Sequence, residues 1–355
     1  MLWLCIVLVS FISACLQKME KLVGLVSFMG LGFLAGNPNL QYDRDALVYM
    51  QNYNAGTDYF EKGYNWITKL FEPTIDYQTF RLYSSLIVFL LMFLAILLMT
   101  EHVSSVSFFY AIAIFPIDKI QVRNCMGAVF ILFGTFFLIK YGNKGVIPAF
   151  FIIFIGSLFH SLALYFLLLP VMWLFRDLIE RYFSVVSWGL MFIAFILEIL
   201  GSTSLAPLIV EILGRFGSRA NAGENVSTIY SGGGQSIGQW GIFLLVTILA
   251  IITVRLIKGM YDKDSSIYYQ LVLCALVLWS AALIFMTLSI DYIRILRISA
   301  FFYFIYIANV SSNHNLGARL NGIAIGTLSA VILMSLGFWA YGFTQDQILA
   351  ALGFI

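Results

Sequence analysis

The chain has 355 residues, 61% of them hydrophobic and 11% charged, with a formal net charge of +2. Soluble domains carry roughly 25% charged residues, so a water-soluble fold is excluded, as is intrinsic disorder, and the near-neutral balance leaves no electrostatic footprint for nucleic acid. The class that remains is an all-α, polytopic membrane protein, read as one transmembrane domain over residues 1–355.

Cys5, Cys15, Cys125 and Cys274 stand alone in or beside apolar runs, which reads as small hydrophobes rather than a disulfide framework or a metal site. Residues 12–15 (ISAC) loosely resemble a lipoprotein cleavage box. No Lys or Arg precedes that run, however, and a second apolar run follows at once, so a cleaved signal is not expected.

Apolar runs cover 2–16, 22–36, 82–100, 104–117, 124–139, 145–159, 161–175, 183–200, 238–254, 267–288, 298–310 and 322–341. They predict about twelve transmembrane helices, ten at the fewest, although several runs fall short of the ~20 residues that cross a bilayer. Two long breaks, 37–81 and 201–237, lie on one side under this count. Lys and Arg divide evenly, ten to each side, but the side without long loops packs its ten into shorter segments. That side reads as cytoplasmic, which makes the long breaks two extracytoplasmic loops.

The first outer loop is rich in aromatics, among them Tyr49, Tyr53, Phe60, Tyr64, Trp66 and Phe71. Ala46, Tyr49, Met50 and Tyr53 recur at helical spacing, as do Phe60, Tyr64, Ile67 and Phe71. Two short interfacial helices are predicted, with aromatic faces that either anchor the loop or stack on sugar rings. Asp58 and Glu61 have the D-x-x-E spacing of a capping box for the second helix; alternatively, Glu61 is a rigidly held carboxylate able to take a proton from a hydroxyl. Asp43 and Asp45 form a D-x-D pair, but Arg44 between them competes with any metal ion, and no metal is assigned.

Further along, 145–175 lies between the basic clusters Lys140/Lys144 and Arg176/Arg181. Two crossings leave about fifteen residues each, or ~23 Å of helix, less than the hydrocarbon thickness. The turn at His160 is therefore expected to be recessed, as is the turn at Asp118–Arg123 within 104–139, so that Arg123 and His160 line an outward cavity. The rival reading makes 145–175 one long tilted helix. In the second outer loop, Leu205, Leu208, Ile209, Ile212, Leu213 and Phe216 form an apolar stripe behind Ser204 and Pro207, which predicts an interfacial helix carrying Arg215 and Arg219. SGGGQSIG at 231–238 reads as a hinge. Near the end, DYIRILR (291–297) puts Asp291, Arg294 and Arg297 on one helical stripe, where two guanidinium forks suit phosphate oxygens. No HExxH, P-loop or Rossmann fingerprint occurs.

These residues carry a family resemblance. FEKGYNWITKLF (60–71) is close to the F-E-x-G-[YF]-x-x-hydrophobic stretch of the bacterial EpsG and Wzy polysaccharide polymerases. DRDALVYMQNY (43–53), Arg123 opening RNCMGAVFIL, His160-Ser161 ending a helix and the late Arg294 follow in matching order over roughly 40–310. Asn124 and Cys125 depart from the small or polar residues expected after the arginine. The resemblance implies a cofactor-independent glycosyltransferase of the bacterial cytoplasmic membrane, acting at its outer face on polyprenyl diphosphate-linked oligosaccharides to build O-antigen or exopolysaccharide. It implies Arg123, Arg294 and Arg297 around the diphosphate, with Glu61 or His160, and then Asp291, as the base. Asp58, Tyr64 and Trp66 would meet the glycan, and Arg215 and Arg219 the lipid. Expected partners are the lipid-linked oligosaccharide, the bilayer and a separate chain-length regulator. The competing readings are a repeat-unit flippase or other secondary transporter, a glycan ligase, and an O-acyltransferase. Half-to-half repetition and midplane charges, the marks of transporters, are not evident in the sequence.

Overall fold

In a computed structural model of the chain, which describes residues 1–200, 237–261, 266–312 and 315–354, each of the twelve apolar runs lies on helix. In chain order these are α1 (Leu2–Leu16), α2 (Glu20–Gly36), α3 (Arg44–Asn54), α4 (Lys62–Phe71), α5 (Tyr77–Met99), α6 (Val103–Ala113), α7 (Phe115–Asp118), α8 (Val122–Tyr141), α9 (Val146–Ser157), α10 (Leu168–Leu174) and α11 (Arg176–Leu200). Then come α12 (Ile237–Tyr261), α13 (Ile267–Met286), α14 (Ile293–Ser312), α15 (Leu316–Ala340) and α16 (Gln345–Ala351). No strand occurs among the described residues. The 204–221 helix with Arg215 and Arg219, and all but the last two residues of the 231–238 hinge, lie outside the described residues.

Length and composition of the helices bear on the expected crossings. Among the described residues, seven helical stretches are long and apolar enough to span a bilayer: Tyr77–Met99, Val122–Ser157, Arg176–Leu200, Ile237–Tyr261, Ile267–Met286, Ile290–Ser312 and Leu316–Ala340. Leu2–Leu16, Val103–Ala113 and Ser161–Leu174 are shorter apolar helices. These candidate spans support a polytopic all-α protein, and Val122–Ser157 holds two helices, α8 and α9, packed against each other. A hydropathy break shows where a helix ends but not whether it crosses, because neighbouring helices can bury a short one. Val103–Ala113 is such a case, with every residue buried.

The interior is set by α13 and α14, whose most apolar windows are 78% and 89% buried, against 22% for α11 at the periphery. Without a hydrophobic drive between helices in lipid, association rests on close packing and polar ties. Gly36 of α2 illustrates the packing, since a Cβ there would come within 2.7 Å of the Leu82 backbone in α5. The ties run between side chains and distant carbonyls. Tyr165 Oη donates to Leu278 O and Tyr268 Oη to Met99 O, both at 2.7 Å, and Trp240 Nε1 donates to Leu283 O at 3.1 Å.

Two local departures shape the functional end. Asp76 accepts from Thr79 N–H at 2.8 Å and so caps α5, which makes Tyr77–Arg81 the start of a span rather than the end of the 37–81 loop. The 145–175 segment reverses at Leu158–His160, with α9 packed against both the 3-10 turn Ser161–Leu167 and α10. This is the predicted hairpin and not one tilted helix. At twelve residues α9 reaches only ~18 Å, and His160 sits level with Gly127, where an added Cβ would lie 3.1 Å from His160 Cβ. The turn is thus about one helical turn below Arg123, near the start of α8.

Candidate functional site

The spacing of residues 60–65 has a physical explanation in the way this segment docks. Asn65 closes a ring on its own loop, its Nδ2 donating to Phe60 O at 2.7 Å and its Oδ1 accepting from Phe60 N–H at 3.2 Å. Gly63 donates its N–H to Leu158 O at 2.8 Å, and a Cβ at this position would lie 2.8 Å from that same oxygen. Only glycine allows α4 to settle onto the recessed hairpin turn. This contact delivers Glu61 into the interior, where it is 2% exposed. Arg123 Nη1 donates to Glu61 Oε2, and Ser161 N–H donates to Oε1 at 3.1 Å. Burial alone would raise the Glu61 pKa, but Arg123, with smaller help from His160 and Ser161, leaves it below its ordinary value.

The expected capping box is not formed. α4 begins at Lys62, Glu61 is its N-cap without a side-chain cap bond, and Asp58 instead pairs with Lys69 at 2.7 Å on the exposed surface. The pull of a buried guanidinium outweighs a helix cap for the same carboxylate. Aromatics complete the setting of Arg123: its Cζ lies 4.0 Å from the Phe60 ring centroid, 5.2 Å from Tyr49 and 5.8 Å from Tyr64. Tyr64 is buried among these rings, so its face meets Arg123 and its neighbours rather than solvent, while Trp66 is 68% exposed.

His160 lies within electrostatic reach of Glu61, Arg123, Arg294 and Arg297, so these segments converge at one end of the bundle. Its Nδ1 accepts from Leu162 N–H at 3.1 Å, which places the proton of a neutral ring on Nε2. Arg294 and Arg297 do not act as a pair. Arg297 is buried, bonded to Asp118 Oδ1 at 3.1 Å and to Gln121, whereas Arg294 is half-buried and bound to Asp291 at 2.9 Å. Being three residues apart aligns the two Cα positions, but separate carboxylates draw the side chains to separate tasks.

The D-x-D pair is likewise divided. Asp43 caps α3 through Ala46 N–H at 2.9 Å and faces Arg81 and Lys119; Asp45 is half-buried and faces Arg294, Arg123 and, more weakly, Arg81. Burial pushes both carboxyls up, Asp43 to about 6. Sequence reasoning gave no role to Arg81 and Lys119. Arg81 is 1% exposed, with Nε bonded to Ala35 O at 3.0 Å and Nη2 to Lys119 O at 2.7 Å, while Lys119 Nζ donates to Ala350 O at 2.7 Å. Their only sequence signal was a cation at the edge of an apolar run.

The site is thus a buried cluster of arginines and carboxylates at one end of a helical bundle, against the two-helix segment α3–α4. Residues 21–350 match the EpsG family, and the chain belongs to it. No curated protein and no solved structure gives a significant match.

Proposed function

We propose that this chain polymerises polyprenyl diphosphate-linked oligosaccharide repeat units into O-antigen or exopolysaccharide at the outer face of the bacterial cytoplasmic membrane. EpsG membership points to polysaccharide polymerisation. The observation that carries the finer reading is the convergence of Asp45, Glu61, Arg123, His160 and Arg294, from five separate elements, around one site. In the proposed reaction an acceptor hydroxyl attacks the anomeric carbon of the growing chain. The new C–O bond forms as the bond to the diphosphate breaks, and the hydroxyl proton passes to a carboxylate.

Among the cations, half-buried Arg294 is the one best able to meet the departing diphosphate, with Arg123 supplying field from beneath. Arg297 serves as a clamp. Glu61 has an oxygen committed to Arg123 and another to Ser161, and its lowered pKa makes it a weak base; its part is to hold Arg123. His160, protonated on Nε2, is a donor toward substrate. The base role falls to Asp45, whose raised pKa strengthens its proton affinity and which faces Arg294. Asp291 orients Arg294, Trp66 offers an open face to the glycan, and Asp58 is exposed in the same segment, paired with Lys69.

The test is a surface-glycan gel from cells lacking the gene. Collapse of the ladder to lipid core plus one repeat, restored by the wild-type gene, is expected, whereas an unchanged ladder would refute the reading. Restoration with Asp45→Asn should give roughly 10²–10⁴-fold less polymer. In the wild-type protein the rate should fall as pH drops through a value above the ordinary 3.8 of an aspartate, because the ionised form is the base.

A further inference from the structure

A cavity of about 270 Å³ opens beside the cluster, between the start of α5, α3 and the segment after α2. Pro38, Leu40 and Met50 give it an apolar wall, and Asn54, Gln78 and Arg81 contribute polar groups. At its base are two buried side chains, Tyr77 (5% exposed) and Arg81. Arg81 is already fixed by two backbone carbonyls, and its guanidinium lies against the Tyr77 hydroxyl; its Nη1, that hydroxyl and Oδ2 of Asp43 behind them make no well-aligned hydrogen bond. Buried polar atoms are normally satisfied. Here a donor, a hydroxyl and an acceptor are left without a well-aligned partner in one place, next to a cavity that two of the three residues line.

The chemistry of the lining selects the ligand. Arg81 is balanced by Asp43, and Asp76 also lines the cavity, so there is no surplus of positive charge to hold a phosphate. The combination of alternating donors and acceptors with an apolar wall suits a neutral, hydroxyl-rich ring, whose C–H face packs on Met50 and Leu40. The volume is below the ~300–1,000 Å³ of drug-sized sites, enough for one ring and not for a chain. Tyr49 joins the cavity to the cluster, its ring centroid 5.7 Å from Arg81 Cζ and 5.2 Å from Arg123 Cζ.

We propose that this cavity is a subsite for one neutral sugar residue of the glycan, next to the reacting residue. The assignment rests on the polymerase reading for its substrate but not for its test. The probe is the free repeat-unit oligosaccharide, released from the cell's lipid-linked intermediate and lacking diphosphate, followed by saturation-transfer NMR on the full chain in nanodiscs. Saturation concentrated on one sugar residue is expected, with inorganic pyrophosphate failing to compete. The double variant Asn54→Ala/Gln78→Ala alters exposed side chains and should fold as the wild type does. It is expected to weaken binding about tenfold, the worth of one or two neutral hydrogen bonds, and Arg294→Lys should leave binding intact. Undiminished binding in the double variant, or competition by pyrophosphate, would overturn the subsite. An unchanged glycan ladder in the deletion strain would instead overturn the polymerase reading and leave the binding result standing.

Discussion

Glu61 and Arg123 are a buried ion pair, and removing one member strands the other charge away from water. Such a loss costs about 3–5 kcal/mol, whereas removing both partners costs far less. Glu61→Gln and Arg123→Gln should therefore each lower the thermal unfolding midpoint in detergent, and the double variant should recover much of the loss without recovering polymer synthesis. Additive losses would show that the pair is not coupled. Asp43 gives a second residue-scale expectation. Burial raises its pKa from 3.8 to about 6, so the folded state favours the protonated acid. The stability this contributes is present below the unfolded pKa and is lost as pH rises through about 6. Asp43→Asn keeps an oxygen for the Ala46 cap but cannot ionise, so its stability relative to wild type should increase from pH 5 to pH 7.5, as measured by thermal unfolding. A constant difference would mean that Asp43 titrates normally.

At the scale of elements, the docking of α4 on the α9 turn is the contact that builds the site. Gly63→Ala must shift a backbone oxygen 2.8 Å from the new Cβ, an overpacking worth about 1–3 kcal/mol. The variant should lose polymer while its helical circular dichroism stays close to wild type, and full activity would show that the close approach is dispensable. Much of this architecture was legible in the sequence. Apolar runs located the helices, and the basic clusters flanking 145–175 favoured a reversal at His160 over one long tilted helix, because neither argument depends on tertiary partners. The capping box misled because D-x-x-E describes a local option for Glu61, and a distant arginine on α8 offered a stronger one. Arg81 was hidden for a related reason. Its start-of-helix position depended on Asp76, one of several acids in the loop, and its carbonyl partners belong to α2 and to the residue after α7.

For the whole molecule, hydrogen bonds sort the chain into two ends. Glu61, Arg123, Ser161, Asp118 and Arg297 meet at one; Glu180, Lys258, Asp177 and Gln270 meet at the other, as do Arg176 and Asn143. The proposed outer-face action assigns the first end to the outside. In a cysteine-free background, Trp66→Cys should react with a membrane-impermeant maleimide in intact cells, and Asn143→Cys only after permeabilisation. The reverse pattern would place the site in the cytoplasm.

The Arg297 clamp bears on how such a machine would move. A carrier that alternates between two openings must part its helices at each mouth in turn. Here Arg297 of α14 is bound to Asp118 and Gln121 between α7 and α8, and Arg297 and Asp118 are buried, so parting them would strand charge at a cost of several kcal/mol, about 3–5 by the usual measure. This mouth is better suited to being an anvil than a gate. Under the proposed reading the travelling part is the polymer, which slides forward by one repeat per cycle over a stationary protein floor.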